Sequence, residues 1–160
     1  MLKHLKERLS WAVEHPKLLK QARKWMKKQK PKSLDEWFIQ QHEAVFKHID
    51  CLECANCCKT TSPIFRDVDI NRLSKHLKMK PGKFIANYLW LDGDGDYVLK
   101  SAPCPFLGSD NYCSVYEHRP QACKEYPHTN RKKMYQLLNL AEKNALICPA
   151  VSQIFREAVH

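Results

Sequence analysis

Leu2, Leu5 and Leu9 recur at the three- and four-residue spacing of one helical face, and Leu18, Ala22, Trp25 and Met26 repeat that spacing after Pro16. Two amphipathic helices are predicted, with Pro16 in the first turn of the second, where its missing N–H leaves no bond unmade. A third is expected from Ser33 as N-cap, in Ser33-Leu34-Asp35-Glu36, to about Ile49, with Trp37, Gln41, Val45 and Phe46 in register. Asp67 or Asp69 is expected to cap a short helix ending near Leu77, and Pro81 to open another with Phe84, Ile85, Tyr88 and Leu89 on one face. Past the acidic stretch Asp92-Gly93-Asp94-Gly95-Asp96, residues 97–100 and 112–116 read as candidate strands. A helix from Asn130 or Arg131 carries Met134, Leu137, Leu138, Ala141 and Leu146, breaks at Cys148-Pro149, and is followed by a last short helix from Val151 to Ala158. The fold class is mostly α with a small antiparallel β element and irregular loops, which a cysteine-ligated metal site would organise.

Length and composition narrow the classes. The chain has 160 residues, enough to bury one core but not two, with 44% hydrophobic and 28% charged positions, which excludes a disordered tail. No apolar run approaches the roughly 18–20 residues of a spanning helix. The charges of Met1-Leu2-Lys3-His4-Leu5-Lys6-Glu7 never give way to an apolar stretch, so no secretory signal is expected and the compartment is read as cytoplasmic. Four glycines against nine prolines disfavour a glycine-rich phosphate loop. The acidic stretch invites a calcium reading, but counting from Asp92 puts Tyr97 where that loop needs glycine and Pro103 where it needs glutamate.

Charge divides the chain. Residues 1–32 hold eleven of the 27 Lys+Arg and two of the 17 Asp+Glu, a net +9 of the total +10. Such a face could meet nucleic acid or an anionic membrane surface, but a solvated face over a docked apolar stripe is the favoured reading. Lysine outnumbers arginine nine to two there, against bidentate phosphate or base readout, and no aromatics interleave as a base-stacking platform. Division into a basic helical extension, residues 1–49, and a cysteine-cluster domain, residues 50–160, follows.

Eight cysteines in a chain without an export signal point to metal ligation or redox chemistry more than to disulfides. Four are packed into Cys51-Leu52-Glu53-Cys54-Ala55-Asn56-Cys57-Cys58, where two successive C-x2-C steps bring three thiolates around one point. Adjacent side chains usually diverge, so Cys57 and Cys58 are expected to serve two neighbouring sites, unless one of them bridges or is a free thiol. Cys104, Cys113, Cys123 and Cys148 complete the set, giving two four-cysteine sites or one polynuclear cluster of zinc or iron, an iron–sulfur cluster included. Under a two-site division, Cys51, Cys54 and Cys57 share an ion with Cys148, and Cys58 joins Cys104, Cys113 and Cys123. Pro103 and Pro105 stiffen the backbone around Cys104. Arg119 is expected either to donate to a thiolate or to pair with Glu117 or backbone carbonyls; Tyr116 and Tyr126 to pack in the core; His118 and His128 to lie on the surface; Lys59 and Lys124 to offset thiolate charge.

Taken as a set, Cys51 to Cys58, Cys104-Pro105-Phe106-Leu107, the run Tyr116-Glu117-His118-Arg119-Pro120-Gln121-Ala122-Cys123 and Tyr126-Pro127 resemble the bacterial CxxCxxCC, or YkgJ-like, cysteine-cluster family. The resemblance covers about residues 50–150 and implies chelation of zinc or iron by all eight cysteines. A related branch, the flagellin lysine N-methylases, implies an iron–sulfur cluster and methyl transfer from S-adenosylmethionine, but carries much additional chain that 160 residues lack. Three functions are therefore weighed: metal binding that acts through metal handling or a protein partner; iron–sulfur redox or methyl-transfer-related activity; and a thiol switch at Cys51, Cys54, Cys57 and Cys58. The first is favoured, because no coherent acid–base or nucleophile constellation is present.

Overall fold

A computed structural model describes the whole chain, Met1–His160. In chain order the elements are α1 (Lys3–Glu14), α2 (Pro16–Lys27), α3 (Pro31–Phe46), α4 (Cys51–Cys54), α5 (Asn56–Thr60), α6 (Asp67–His76) and α7 (Pro81–Tyr88). Then come β1 (Leu89–Leu91), β2 (Tyr97–Leu99), α8 (Gln121–Glu125), α9 (Leu138–Ala145) and α10 (Pro149–Glu157). The chain divides into two compact units, one of Met1–Asn56 with Pro127–His160, the other of Cys57–Tyr126. Each has a core of its own, where the length had led us to expect only one.

In the first unit the N-terminal helices share a core with the C-terminal ones. Leu5, Trp11, Leu19, Met26, Leu34 and Phe38 pack with Leu138, Val151, Ile154 and Phe155. Burying each large side chain of this kind contributes about 1.5–3 kcal/mol. Helix α10 is central, touching α1, α2, α3 and α9, and the Ser152 hydroxyl donates to the Arg8 carbonyl at 2.5 Å.

Two boundaries differ from expectation. Helix α3 starts at Pro31, not after Ser33, because Pro31 presets the first-turn geometry and has no N–H to lose. The helix expected from residue 130 is interrupted. Lys133 adopts φ 61, ψ 38, which a right-handed helix cannot contain, and a short 3-10 turn (Met134–Gln136) precedes α9. The Asp35 carboxylate holds this turn, accepting from the N–H groups of Lys133 at 2.8 Å and Met134 at 2.9 Å. Since the left-handed region costs a non-glycine residue about 1–2 kcal/mol and the Lys133 side chain is exposed, Lys133→Gly is expected to stabilise the protein by about 0.5–1 kcal/mol. An unchanged or lower urea midpoint would count against that strain.

In the second unit Phe65, Ile70, Leu73, Phe84, Leu89, Leu99, Phe106 and Val115 form the core. Strands β1 and β2 pair antiparallel, Leu89 opposite Leu99 and Leu91 opposite Tyr97. The acidic stretch is their hairpin turn: Asp92 Oδ1 accepts from the N–H groups of Asp94 and Asp96, both at 2.9 Å. The strand expected over residues 112–116 does not form. Instead a single bridge joins Leu107 to Cys113 and a 3-10 turn (Tyr116–His118) follows, so the partner of β2 is β1.

Candidate metal centre

Short helical turns, not open loops, carry the first four cysteines. Asp50 caps α4 by accepting from the Leu52 N–H at 2.8 Å, and Ala55, at φ 48, separates α4 from α5. The chain passes from the first unit to the second between Asn56 and Cys57, so the eight thiols fall into two groups: Cys51, Cys54 and Cys148 in the first, and Cys57, Cys58, Cys104, Cys113 and Cys123 in the second.

In the first unit Cys54 is buried and Cys51 exposed, one helical turn apart. Cys148 stands at the N-terminal boundary of α10. The Asn56 side-chain amide donates to the Ile147 carbonyl at 2.7 Å, tying the residue before Cys148 to the chain just after α4. Burial pushes the Cys148 thiol up to about 12, and the neighbouring Cys51 and Cys54 push in the same direction.

In the second unit four separate segments converge. Cys58 lies on α5, and its carbonyl accepts from the Cys104 N–H at 2.8 Å. Cys104 and Cys113 flank a tight hairpin in which Ser114 N–H donates to the Phe106 carbonyl and Gly108 N–H to the Tyr112 carbonyl, both at 2.8 Å. Gly108 leaves room for the Asp110 carboxylate, whose Oδ1 would stand 2.6 Å from a Cβ at 108 and accepts from the Tyr112 N–H at 3.0 Å. Cys123 lies on α8, whose first residue is held by Asp69.

Asp69 is 1% exposed and accepts three hydrogen bonds, from Arg66 N–H at 2.9 Å, Gln121 N–H at 3.1 Å and Arg72 Nη2 at 2.7 Å. Burial works against its charge, but the bonds from Arg66, Arg72 and Gln121 win and hold the carboxyl below the usual range. Arg72 extends the clamp by donating to the carbonyls of His118 and Arg119. Sequence reasoning placed Asp69 at a helix start but missed this role. The only local signal was an acid in the first helical turn, because Gln121 lies 52 residues away.

The thiols of this group act on one another. Burial pushes Cys123 up to about 12, and Cys58, Cys104 and Cys113 add to the rise. Cys104 and Cys113 are raised by burial and by neighbouring Cys58. Cys58 moves the other way, to about 7, chiefly through a hydrogen bond from the Cys57 side chain, with help from Lys59. That bond brings the adjacent thiols together where divergence was expected. No three His, Cys, Asp or Glu side chains stand close enough to form a finished ion-binding group.

The flanking residues sort differently from expectation in part. Arg119 donates to the Tyr116 carbonyl at 2.7 Å and lies 3.8 Å above the Tyr116 ring, while its charge favours the thiolates of Cys113 and Cys123. Of its expected partners, backbone carbonyl is the one found. Tyr116 is 48% exposed, not core, because it is the platform for that guanidinium. His118 is half-buried and stacks on His76, ring centres 4.0 Å apart. His128 is half-buried at φ 64. Lys59 acts on Cys58, whereas Lys124 is simply exposed.

The model of the CxxCxxCC family, described as a "putative zinc- or iron-chelating domain", matches residues 50–148. The chain belongs to this family. No curated protein and no solved structure matches it. All eight cysteines fall within the CxxCxxCC segment, and residues 1–49 lie outside it. The donor set fits the family's zinc or iron. Thiolates suit both metals, and thiols that resist ionisation because they are buried beside one another would ionise readily once a cation stood among them. No helix is long and apolar enough to cross a membrane.

Proposed function

We propose that the protein binds its zinc or iron through thiolates drawn from Cys51, Cys54, Cys57, Cys58, Cys104, Cys113, Cys123 and Cys148, and works through metal handling or through a protein partner. Cys58, Cys104, Cys113 and Cys123 make one set. Cys51, Cys54 and Cys148 belong to another. The observation that carries the reading is that the first four come from four separate segments of the second unit yet lie near enough for their charges to act on one another.

Energetics support it as well. The second unit is small, with a core of eight residues, and units of this size commonly need a staple. A bound ion supplies cross-links among loops, worth about 10–16 kcal/mol of apparent folding free energy for structural zinc. The alternative is an iron–sulfur cluster on the same thiols with redox or methyl-transfer-related activity.

Metal content and visible absorption of protein purified without oxygen test both. One or two zinc or iron ions per chain, with no acid-labile sulfide, is the expected result. Iron with matching sulfide and a broad band near ~400 nm would replace the proposal with the alternative. Protein that folds without either metal would overturn both.

A further inference from the structure

We propose that the first unit binds the phosphate backbone of a nucleic-acid duplex, without base readout, on a basic surface built from α2, the α2–α3 turn and the 3-10 turn before α9. Between Glu14 and Asp35 the chain has no acidic residue. At about 100° per residue, Lys17, Lys20, Lys24, Lys27 and Lys28 all fall within an arc of about 100° on α2 and its end. That arc lies opposite Leu19, Ala22 and Met26, which are buried in the core. The lysines are exposed, and none is in an ion pair.

Tertiary structure enlarges this stripe. Asp35 binds the Lys133 and Met134 N–H groups, which ties the segment carrying Arg131, Lys132 and Lys133, all exposed, to α3, whose first turn carries the exposed Lys32. A nearby acid is already neutralised, since Glu142 pairs with Arg23 at 2.8 Å. Cations from two segments a hundred residues apart are thus tied to the same helix.

The chemistry selects the occupant. An interfacial membrane helix must put its apolar face into the lipid, and that of α2 is committed to the core. Single strands are held largely by stacking, and the exposed aromatics among these cations, Trp25 and Tyr135, offer no open row of ring faces, since Trp25 packs edge-on with Trp37. Lysines act as point charges without the forked geometry that reads bases. The stripe runs about 16 Å, a length over which a duplex presents about nine phosphate charges.

The test is fluorescence anisotropy of a labelled DNA duplex of about 20 base pairs with the metal-loaded full chain, across a salt series. The combined variant Lys24→Glu, Lys27→Glu, Lys28→Glu is expected to weaken binding at least about tenfold and to flatten the log–log salt slope by about 3. Arg131→Glu with Lys132→Glu should also weaken it, whereas Lys75→Glu with Lys83→Glu, exposed residues of the second unit, should not. Unchanged circular dichroism and metal content show that the variants fold. Binding that survives the α2 reversals, a single strand bound as tightly as the duplex, or vesicles rich in anionic lipid bound more tightly than the duplex would each overturn the proposal.

Discussion

Replacing Cys104 with serine is expected to lower the metal content of the protein and to reduce the stability of the second unit by about 3 kcal/mol or more, one ligand's share of a structural ion's contribution. Cys104 stands between Pro103 and Pro105, and its N–H is bound to the Cys58 carbonyl, so its backbone is held with or without the thiol. Serine keeps that backbone and the approximate volume, which confines the change to the ligand atom. Intact-mass measurement under native conditions gives the metal-to-protein ratio. Urea unfolding with and without a chelator gives the energetics: the wild-type midpoint should fall when chelator is added, and that of the variant should fall much less. Unchanged metal content in Cys104→Ser would remove Cys104 from the ligand set.

Asp69→Ala is expected to cost about 3–5 kcal/mol, although Asp69 belongs to neither thiol group. Its carboxylate is the acceptor for Arg66 N–H, Gln121 N–H and the Arg72 guanidinium. Removing it strands two backbone donors and leaves a partly buried charge without its partner. Asp69→Asn retains one acceptor oxygen and should cost less, about 1–3 kcal/mol. The pH dependence has a definite sign. Because the folded carboxyl is held below its unfolded value of about 3.9, its contribution is present above that pH and is lost as pH falls through the folded pKa. The stability gap between wild type and Asp69→Asn should therefore be constant near neutrality and narrow below about pH 4. Metal loss in acid affects both proteins and cancels in the difference. A gap that does not narrow would show that Asp69 acts by shape and not by charge.

These two sites differ in how visible they are from the chain. The cysteines draw notice from the chain alone, because four thiols in the octapeptide from Cys51 to Cys58 have few structural explanations. Asp69 could not, because its importance lies in Gln121, and nothing in the residues around 121 announces an acceptor at 69. The same holds for Asn56, whose amide reaches Ile147, and for Asp35, whose carboxylate ends the helix expected near residue 131. Arg119 was singled out correctly as a neighbour of the thiols, but its hydrogen bond goes to a carbonyl and its face to Tyr116.

Local elements were legible where their causes are local. Pro16 and Pro81 start helices because proline presets φ and needs no N–H partner, and apolar spacing puts Leu5 on the buried face of α1 and Ala22 and Met26 on that of α2, although Leu2 and Trp25 of the same stripes are exposed. Cysteine spacing, the mostly helical class and the concentration of charge before residue 33 are likewise properties of the chain alone. Pairing is not. Whether β2 lies beside residues 89–91 or 112–116 depends on which turn closes, and the Asp92 side chain closes the first by binding two N–H groups. The chain pattern also left open what the basic helices pack on, since an amphipathic face specifies that it must be covered and not by what. The tertiary structure supplies α10, and with it a first unit made from both ends of the chain, and in the second it brings thiols from distant segments within electrostatic reach of one another. Contacts between residues far apart in sequence form only when backbone geometry, burial and hydrogen bonding are satisfied together, and no stretch of the chain carries that condition by itself.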